Sequence, residues 1–308
     1  MLSVLTNWGF SQNPAHYVIG EKFFANTDIY DLYYCDSTDV LYVASNNGFY
    51  AYTQNKFIQL ITPANKLGNS FFNIKKNNLG EVFCSNLGGQ IFKVEKRELK
   101  LFYQMNRNSI HRTVDYFFDS KKNVIVVGET QIDCLSSKGL FLKTIPLNKL
   151  NGKGLSNVFS VQKKNGDVCI LNNVGSANEF LRLYLIKSPN EFDDLKVPKI
   201  KQDEYGPLFS LEDKTYMVEN NGGLYCLETG EKELQVSFRE MTRELNDTLI
   251  LGLSQSKGAN LYQLIDDKIT KTASFFKDDF ISCGHMNEEG TMFLGSFGEG
   301  IYVIPKIF

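Results

Sequence analysis

Few residues in this chain are of a type that does chemistry, and they are thinly spread. Histidine occurs three times, as His16, His111 and His285, far apart in sequence. The six cysteines, Cys35, Cys84, Cys134, Cys169, Cys226 and Cys283, form no C-x-x-C pair. A zinc knuckle or a thioredoxin-type motif therefore has nothing to build on. Each cysteine sits in its own apolar run, which predicts buried free thiols and, taken alone, a reducing compartment. There is no D-x-D-x-D-G loop, so no dedicated metal site and no cofactor are expected. NGKG (151–154) lacks the G-x-x-x-x-G-K-[ST] spacing of a phosphate loop. With 35 acidic residues, some carboxylate pair can always be proposed, so a pair means little. Polar residues where first strands begin, Asp28, Tyr30, His111, Arg112 and Asp115, are candidates for binding. His111-Arg112 could meet an acidic ligand, or be a solvated loop. The most regular polar feature is a series of amides in turns: Asn46-Asn47, Asn86, Gln131, Asn173, Asn220-Asn221 and Gln255, with Phe297-Gly298-Glu299 in the last such turn. Amides both donate and accept hydrogen bonds, which suits sugar hydroxyls.

The elements that carry these turns are strands. Helical periodicity is nearly absent, and runs of Val, Ile, Leu, Phe and Tyr alternate with Asn/Gly/Asp/Lys turns. One phrase repeats: VLYVAS (40–45), then GEVFCS, NVIVVG, DVCILN, DKTYMV, DTLILG and GTMFLG. Its anchors are Leu41, Val82, Ile125, Cys169, Thr215, Leu249 and Met292, spaced by 41, 43, 44, 46, 34 and 43 residues. The mean is about 42, the size of a four-stranded propeller blade. A first strand precedes each anchor, weak and charged around Met241–Leu245. A third follows it, and in most copies a fourth. The predicted fold is all-β: a seven-bladed β-propeller of four-stranded antiparallel blades over residues 15–308. Residues 1–14 are read as an extension.

The last copy lacks a fourth strand, and a spare strand, His16-Tyr17-Val18-Ile19, precedes the first copy. A missing strand leaves an unpaired edge. Residues 15–20 are therefore expected to complete the last blade and close the ring. Small residues at the ends of second strands (Ala44, Ser85, Gly128, Gly252 and Gly295) are expected where strands crowd near the axis.

Strand order puts the turns between second and third strands on the same face as the starts of the first strands. That face is the expected ligand side, with Asn46, Asn47, Arg112, Asn173, Asn220, Phe297 and Glu299 as the candidate binding residues. A plainer explanation competes: Asn-Gly and Asn-Asn-Gly are what hairpin turns use for positive φ.

Bulk composition excludes several classes. Lys+Arg is 33 and Asp+Glu 35, a net charge of −2, so nothing pulls on a phosphate backbone and nucleic acid is not an expected partner. Three lysine pairs, Lys75-Lys76, Lys121-Lys122 and Lys163-Lys164, fall in turns, where solvation explains them. No run of 18 apolar residues exists, so no spanning helix and no membrane contact by this chain are expected. The N-terminal MLSVLTNWGFSQNP lacks a basic region. It reads either as the tail of a signal peptide or as a frayed terminus.

No Trp-Asp dipeptide, sialidase box or systematic paired glycine is present. NEEGTMFLGSFGEGIYVI (287–304) and DSTDVLYVASNNGFYAY (36–52) resemble blades of the two-component regulator propeller family, which run D-x-x-G-x-L-W-I-G-T and then G-L-Y-x-Y. GLSNVFSV (154–161) is similar to that family's inter-blade phrase. The family's tryptophan is replaced throughout, by Tyr42, Phe83, Val126, Ile170, Tyr216, Ile250 and Phe293. The resemblance implies a periplasmic, non-catalytic sensor propeller of a membrane two-component protein, binding a small molecule or oligosaccharide. It further implies partnership with a second propeller or sensor domain, or a homodimer. Two alternatives stand beside it: a carbohydrate-active propeller enzyme (glycoside hydrolase or lyase), and a protein-interaction scaffold, for which the cysteines suggest the cytoplasm.

Overall fold

A computed structural model describes residues 13–105, 113–147, 158–172, 180–198, 208–211, 214–218, 223–230, 232–235, 241–246, 248–253, 258–265 and 268–306. These form seven four-stranded antiparallel sheets, each taken from consecutive chain except the last. Blade 1 runs Ile29–Cys35, Val40–Ser45, Gly48–Thr53 and Lys56–Gln59. Blades 2 to 6 repeat the order, and all seven anchors lie in second strands. First strands of neighbouring blades touch one another from blade 7 through blade 1 to blade 6 and so line the axis.

Closure occurs as the strand count requires. Tyr17–Ile19 pairs with Ile301–Ile304 in the register Tyr17↔Val303, Val18↔Tyr302 and Ile19↔Ile301, completing blade 7. The charged first strand of blade 6 forms as Met241–Glu244. One strand has too weak a pattern to be read from sequence: Glu191–Pro198, the acidic outer strand of blade 4.

Packing between blades is apolar on both sheet faces. Leu41, Val43 and Tyr50 of blade 1 pack with Cys283, Phe293 and Val303 of blade 7, while Ala44 and Phe49 pack with Phe71, Ile74 and Cys84 of blade 2. The demand for small residues has a local cause. A Cβ on Gly295 would lie 2.5 Å from Cys283 Sγ of its own blade and 2.8 Å from Ile29 Cγ2 of the next, so both inner strands set the limit. All six cysteines are buried and free. Burial pushes the Cys134 thiol up to about 11 and Cys84 well above its ordinary value.

Polar clips join the inner strands where they bulge. Buried Asp31 accepts the Leu32 N–H at 2.8 Å and, across the blade boundary, the Ile74 N–H at 2.6 Å. Tyr116 of blade 3 donates to Asn73 O at 2.6 Å, so the blade 2 bulge is held from both sides. Ser282 Oγ of blade 7 donates to Ile29 O at 2.5 Å.

Strand directions give the ring two unlike faces. The upper face carries the starts of first strands and the turns between second and third strands. The lower face carries the turns between first and second and between third and fourth strands. In several blades the turn between first and second strands is closed by an Asn or Asp side chain. Asn77 Oδ1 accepts Leu79 and Glu81 N–H, Asp119 Oδ1 accepts Asn123 N–H, and Asn246 Oδ1 accepts Thr248 and Leu249 N–H. Among the described residues no helix is long and apolar enough to cross a membrane.

Candidate ligand site at the mouth of the ring

Four of the seven candidate residues lie in described parts of the upper face: Asn46 and Asn47 in blade 1, Phe297 and Glu299 in blade 7. Arg112, Asn173 and Asn220 lie outside the described residues, as does His111.

Asn46 and Phe297 are brought together through Asp28. Asp28 bridges to Phe297 as an isolated antiparallel pair. Asn46 N–H donates to Asp28 O at 3.0 Å, and its Nδ2 donates to Asp28 Oδ2 at 3.3 Å. Asn46 Oδ1 is buried without a hydrogen-bond partner among the described residues. Neither Asn46 nor Asn47 has positive φ; in this turn only Gly48 does, at 151°. The turn explanation therefore accounts for the glycine and not for the asparagines. Asn47 has a structural use of its own, its carbonyl accepting from Tyr50 OH and Gln59 Nε2, each at 3.4 Å. Glu299 accepts from Tyr302 OH at 2.5 Å. Burial first, then this bond, pushes the Tyr302 hydroxyl far up.

The sequence marks Tyr30 as a polar entry residue but does not pair it with another ring. In the structure Tyr30 of blade 1 stacks on Phe72 of blade 2, with centroids 4.7 Å apart and planes 16° apart. Phe297 stands edge-on to Tyr30 at 6.3 Å and is 46% exposed. Burial and then the Asp28 carboxylate push the Tyr30 hydroxyl up. The signal available was the equivalence of Tyr30 and Phe72, each one residue after the buried apolar residue that opens a first strand. Blades 7, 1 and 2 thus present flat rings, an amide and a carboxylate at one rim of the channel.

Below this rim the channel holds a cavity of about 820 Å³. Its walls are first-strand residues such as Asp31, Tyr33, Asn73, Lys75, Asp115, Gln162 and His285. Its turn residues, Asn78, Ser120, Asn165 and Asn246 among them, all belong to the lower face. Its two carboxylates are committed: Asp31 to backbone N–H groups, Asp115 to Tyr116 N–H at 2.8 Å and to Lys75 at 2.8 Å. Lys75 also sits 3.6 Å over the Phe117 ring. His285 contacts the Tyr33 ring at 5.0 Å. Among the described residues no group of three or more His, Cys, Asp or Glu could hold a metal.

Fold and rim together define the class: a closed seven-bladed β-propeller with a polar-aromatic channel mouth. No protein-family model matches the chain, and no curated protein does. Solved structures match over nearly its whole length. Virginiamycin B lyase from Staphylococcus aureus aligns with a TM-score of 0.68 at 12% identity, covering 95% of this chain and 99% of that one. The extracellular domain assigned to a one-component system of B. thetaiotaomicron aligns with a TM-score of 0.69 at 11% identity, covering 96% of this chain and 42% of that one. The WD40 propeller domain of Doa1 aligns at 0.65 and 11%, covering 95% of each chain. At these identities the likeness is one of fold.

Proposed function

We propose that this ring is a non-catalytic, ligand-sensing propeller, the extracytoplasmic sensor part of a membrane two-component signalling protein. The observation that carries the reading is the rim cluster: stacked Tyr30 and Phe72, exposed Phe297, and Asn46 with an unmatched buried acceptor. Flat rings beside an amide and a carboxylate suit a small polar molecule or an oligosaccharide. Asn47, Glu299, Arg112, Asn173 and Asn220 would extend the same face around the mouth. The sensor domain among the fold's relatives supports a signalling role and an extracytoplasmic home, and the blade motifs support the two-component setting. Signalling would follow from a change in how the ring packs on a neighbouring domain or a second copy.

A glycan array probed with the purified chain, alongside Tyr30→Ala and Phe297→Ala, tests the binding reading. Glycan capture by the parent and its loss in both variants is the expected result. A blank array, or variants that bind as the parent does, would reject it. The signalling reading stands or falls separately. In the native host, the captured glycan should change transcription only when the gene is intact.

A further inference from the structure

The outer edge of blade 3 exposes apolar side chains. Its fourth strand, Phe141–Pro146, is entered through the turn Ser136–Gly139. Three consecutive apolar residues there face solvent: Leu140 is 65% exposed, Phe141 60% and Leu142 50%. Alternation along a strand would hide one of any three. Here it fails because of a bulge: Cys134 pairs with Lys143 and Leu135 with Phe141, leaving Leu142 unpaired. The turn itself is held firmly. Ser136 N–H donates to Leu140 O at 2.8 Å, and Gly139 packs under Phe102 of blade 2. Edge strands normally carry charge to discourage association, yet this one presents a rigid apolar tip on the lower face.

Lysines surround that tip. Lys138 is in the turn, Lys143 follows the bulge, and Lys121 and Lys122 lie in the neighbouring lower-face turn; Lys121, Leu142 and Lys143 line one cleft of about 330 Å³. Among the described residues Lys121, Lys122 and Lys138 enter no ion pair. In the adjoining hairpin Glu191 and Asp193 lie 3.7 Å and 3.3 Å from Lys187. The other two lysine pairs, Lys75-Lys76 and Lys163-Lys164, lie at the channel, where Lys75 pairs with Asp115 and Lys163 with Glu228.

We propose that this part of the lower face docks on an anionic lipid bilayer, with Leu140, Phe141 and Leu142 as the inserted wedge and the surrounding lysines on the headgroups. Charge complementarity selects the occupant. A second copy would set lysine against lysine, and the chain's net charge of −2 disfavours nucleic acid. An interfacial anchor needs both apolar burial and basic charge, and this surface supplies both on one rim. The docking does not depend on the rim ligand or on the signalling assignment.

Sedimentation of the full chain with phosphatidylcholine vesicles, with and without phosphatidylglycerol, tests the proposal. The chain should partition onto the anionic vesicles only, and less so as salt rises. Each lysine near the surface is worth about 5-fold, so Lys121→Glu with Lys122→Glu should weaken partitioning on the order of 25-fold or more. Both positions are exposed, so the fold should survive, and an unchanged thermal melt would show it. Phe141→Trp in a Trp8→Phe background should shift its emission to the blue on anionic vesicles. Equal binding to both vesicle types, unshifted emission from the Phe141→Trp variant, or full retention by the lysine variant would overturn the proposal. So would capture of duplex DNA at the same salt that is indifferent to Phe141→Ser.

Discussion

Replacing Asp31 by alanine should weaken the ring more than its single charge suggests. The side chain is 2% exposed, and its two oxygens serve N–H groups on different blades, Leu32 at 2.8 Å and Ile74 at 2.6 Å. Truncation leaves two buried donors without their acceptor, at about 1–3 kcal/mol each. Removing a buried carboxylate also removes its desolvation cost, which pulls the expected net loss to about 2–4 kcal/mol. Asp31→Asn keeps one acceptor and turns an amide N–H₂ toward the other donor, so about 1–3 kcal/mol is expected. Urea denaturation followed by circular dichroism reads both. Tyr116→Phe should cost about 1 kcal/mol by removing the bond to Asn73 O, and it acts on the same bulge. A double-mutant cycle of Asp31→Ala with Tyr116→Phe should therefore show coupling of about 0.5 kcal/mol or more. An Asp31→Ala protein within about 0.5 kcal/mol of the parent would refute the clip, and strict additivity would refute the two-sided hold on blade 2.

Three further outcomes are expected. Gly300 has φ 92°, and a Cβ there would lie 2.7 Å from Ile19 O and 2.9 Å from Glu21 N. Gly300→Ala should push the closing strand away, costing about 1–3 kcal/mol and speeding amide exchange at Tyr17–Ile19 before the other blades. In the link between blades 4 and 5, burial pushes the Glu228 carboxyl up, but the bonds from Lys163 and Thr215 N–H outweigh it and hold it below 4.5. A lowered folded value means the contribution is present above the ordinary pKa and lost as pH falls through the folded one. Urea midpoints below about pH 4.5 should fall less steeply for Glu228→Gln, and an identical acid limb in both proteins would refute the link. Finally, Ellman's reagent at neutral pH should leave Cys84 and Cys134 unlabelled in the native chain and reach them once it is unfolded; rapid native labelling of either would contradict their burial.

Motif and period told of some parts of the site and not others. Leu41 and its six counterparts set the blades, because a 42-residue period in a β chain has few ways to bury both faces of every strand. The spare strand His16–Ile19 announced closure, because donor and gap matched in number. Asn46 and Phe297 could be put on one face by strand direction alone. Their convergence on Asp28 could not, since residues 28 and 297 meet only when the last blade is sealed beside the first. The Tyr30–Phe72 stack was equally hidden, because each ring looks like an ordinary inner-strand aromatic until two blades are set side by side.

The sequence by itself determined the seven-fold repeat, the strand order, the two faces and the route of closure. These follow from local period and strand count. Only the tertiary structure decided what the asparagines meet and where the lysines lie. It freed Asn46 and Asn47 from the positive-φ role by assigning it to Gly48, and left Asn46 Oδ1 unmatched at the rim. It also gathered Leu140, Phe141, Leu142 and the nearby lysines onto one edge. At the edge of blade 3 the reason is the bulge that leaves Leu142 unpaired, and at the rim it is distance along the chain. Side-chain neighbours across a blade boundary lie about 40 residues away in sequence or at the two chain ends, and no local pattern encodes what they meet there.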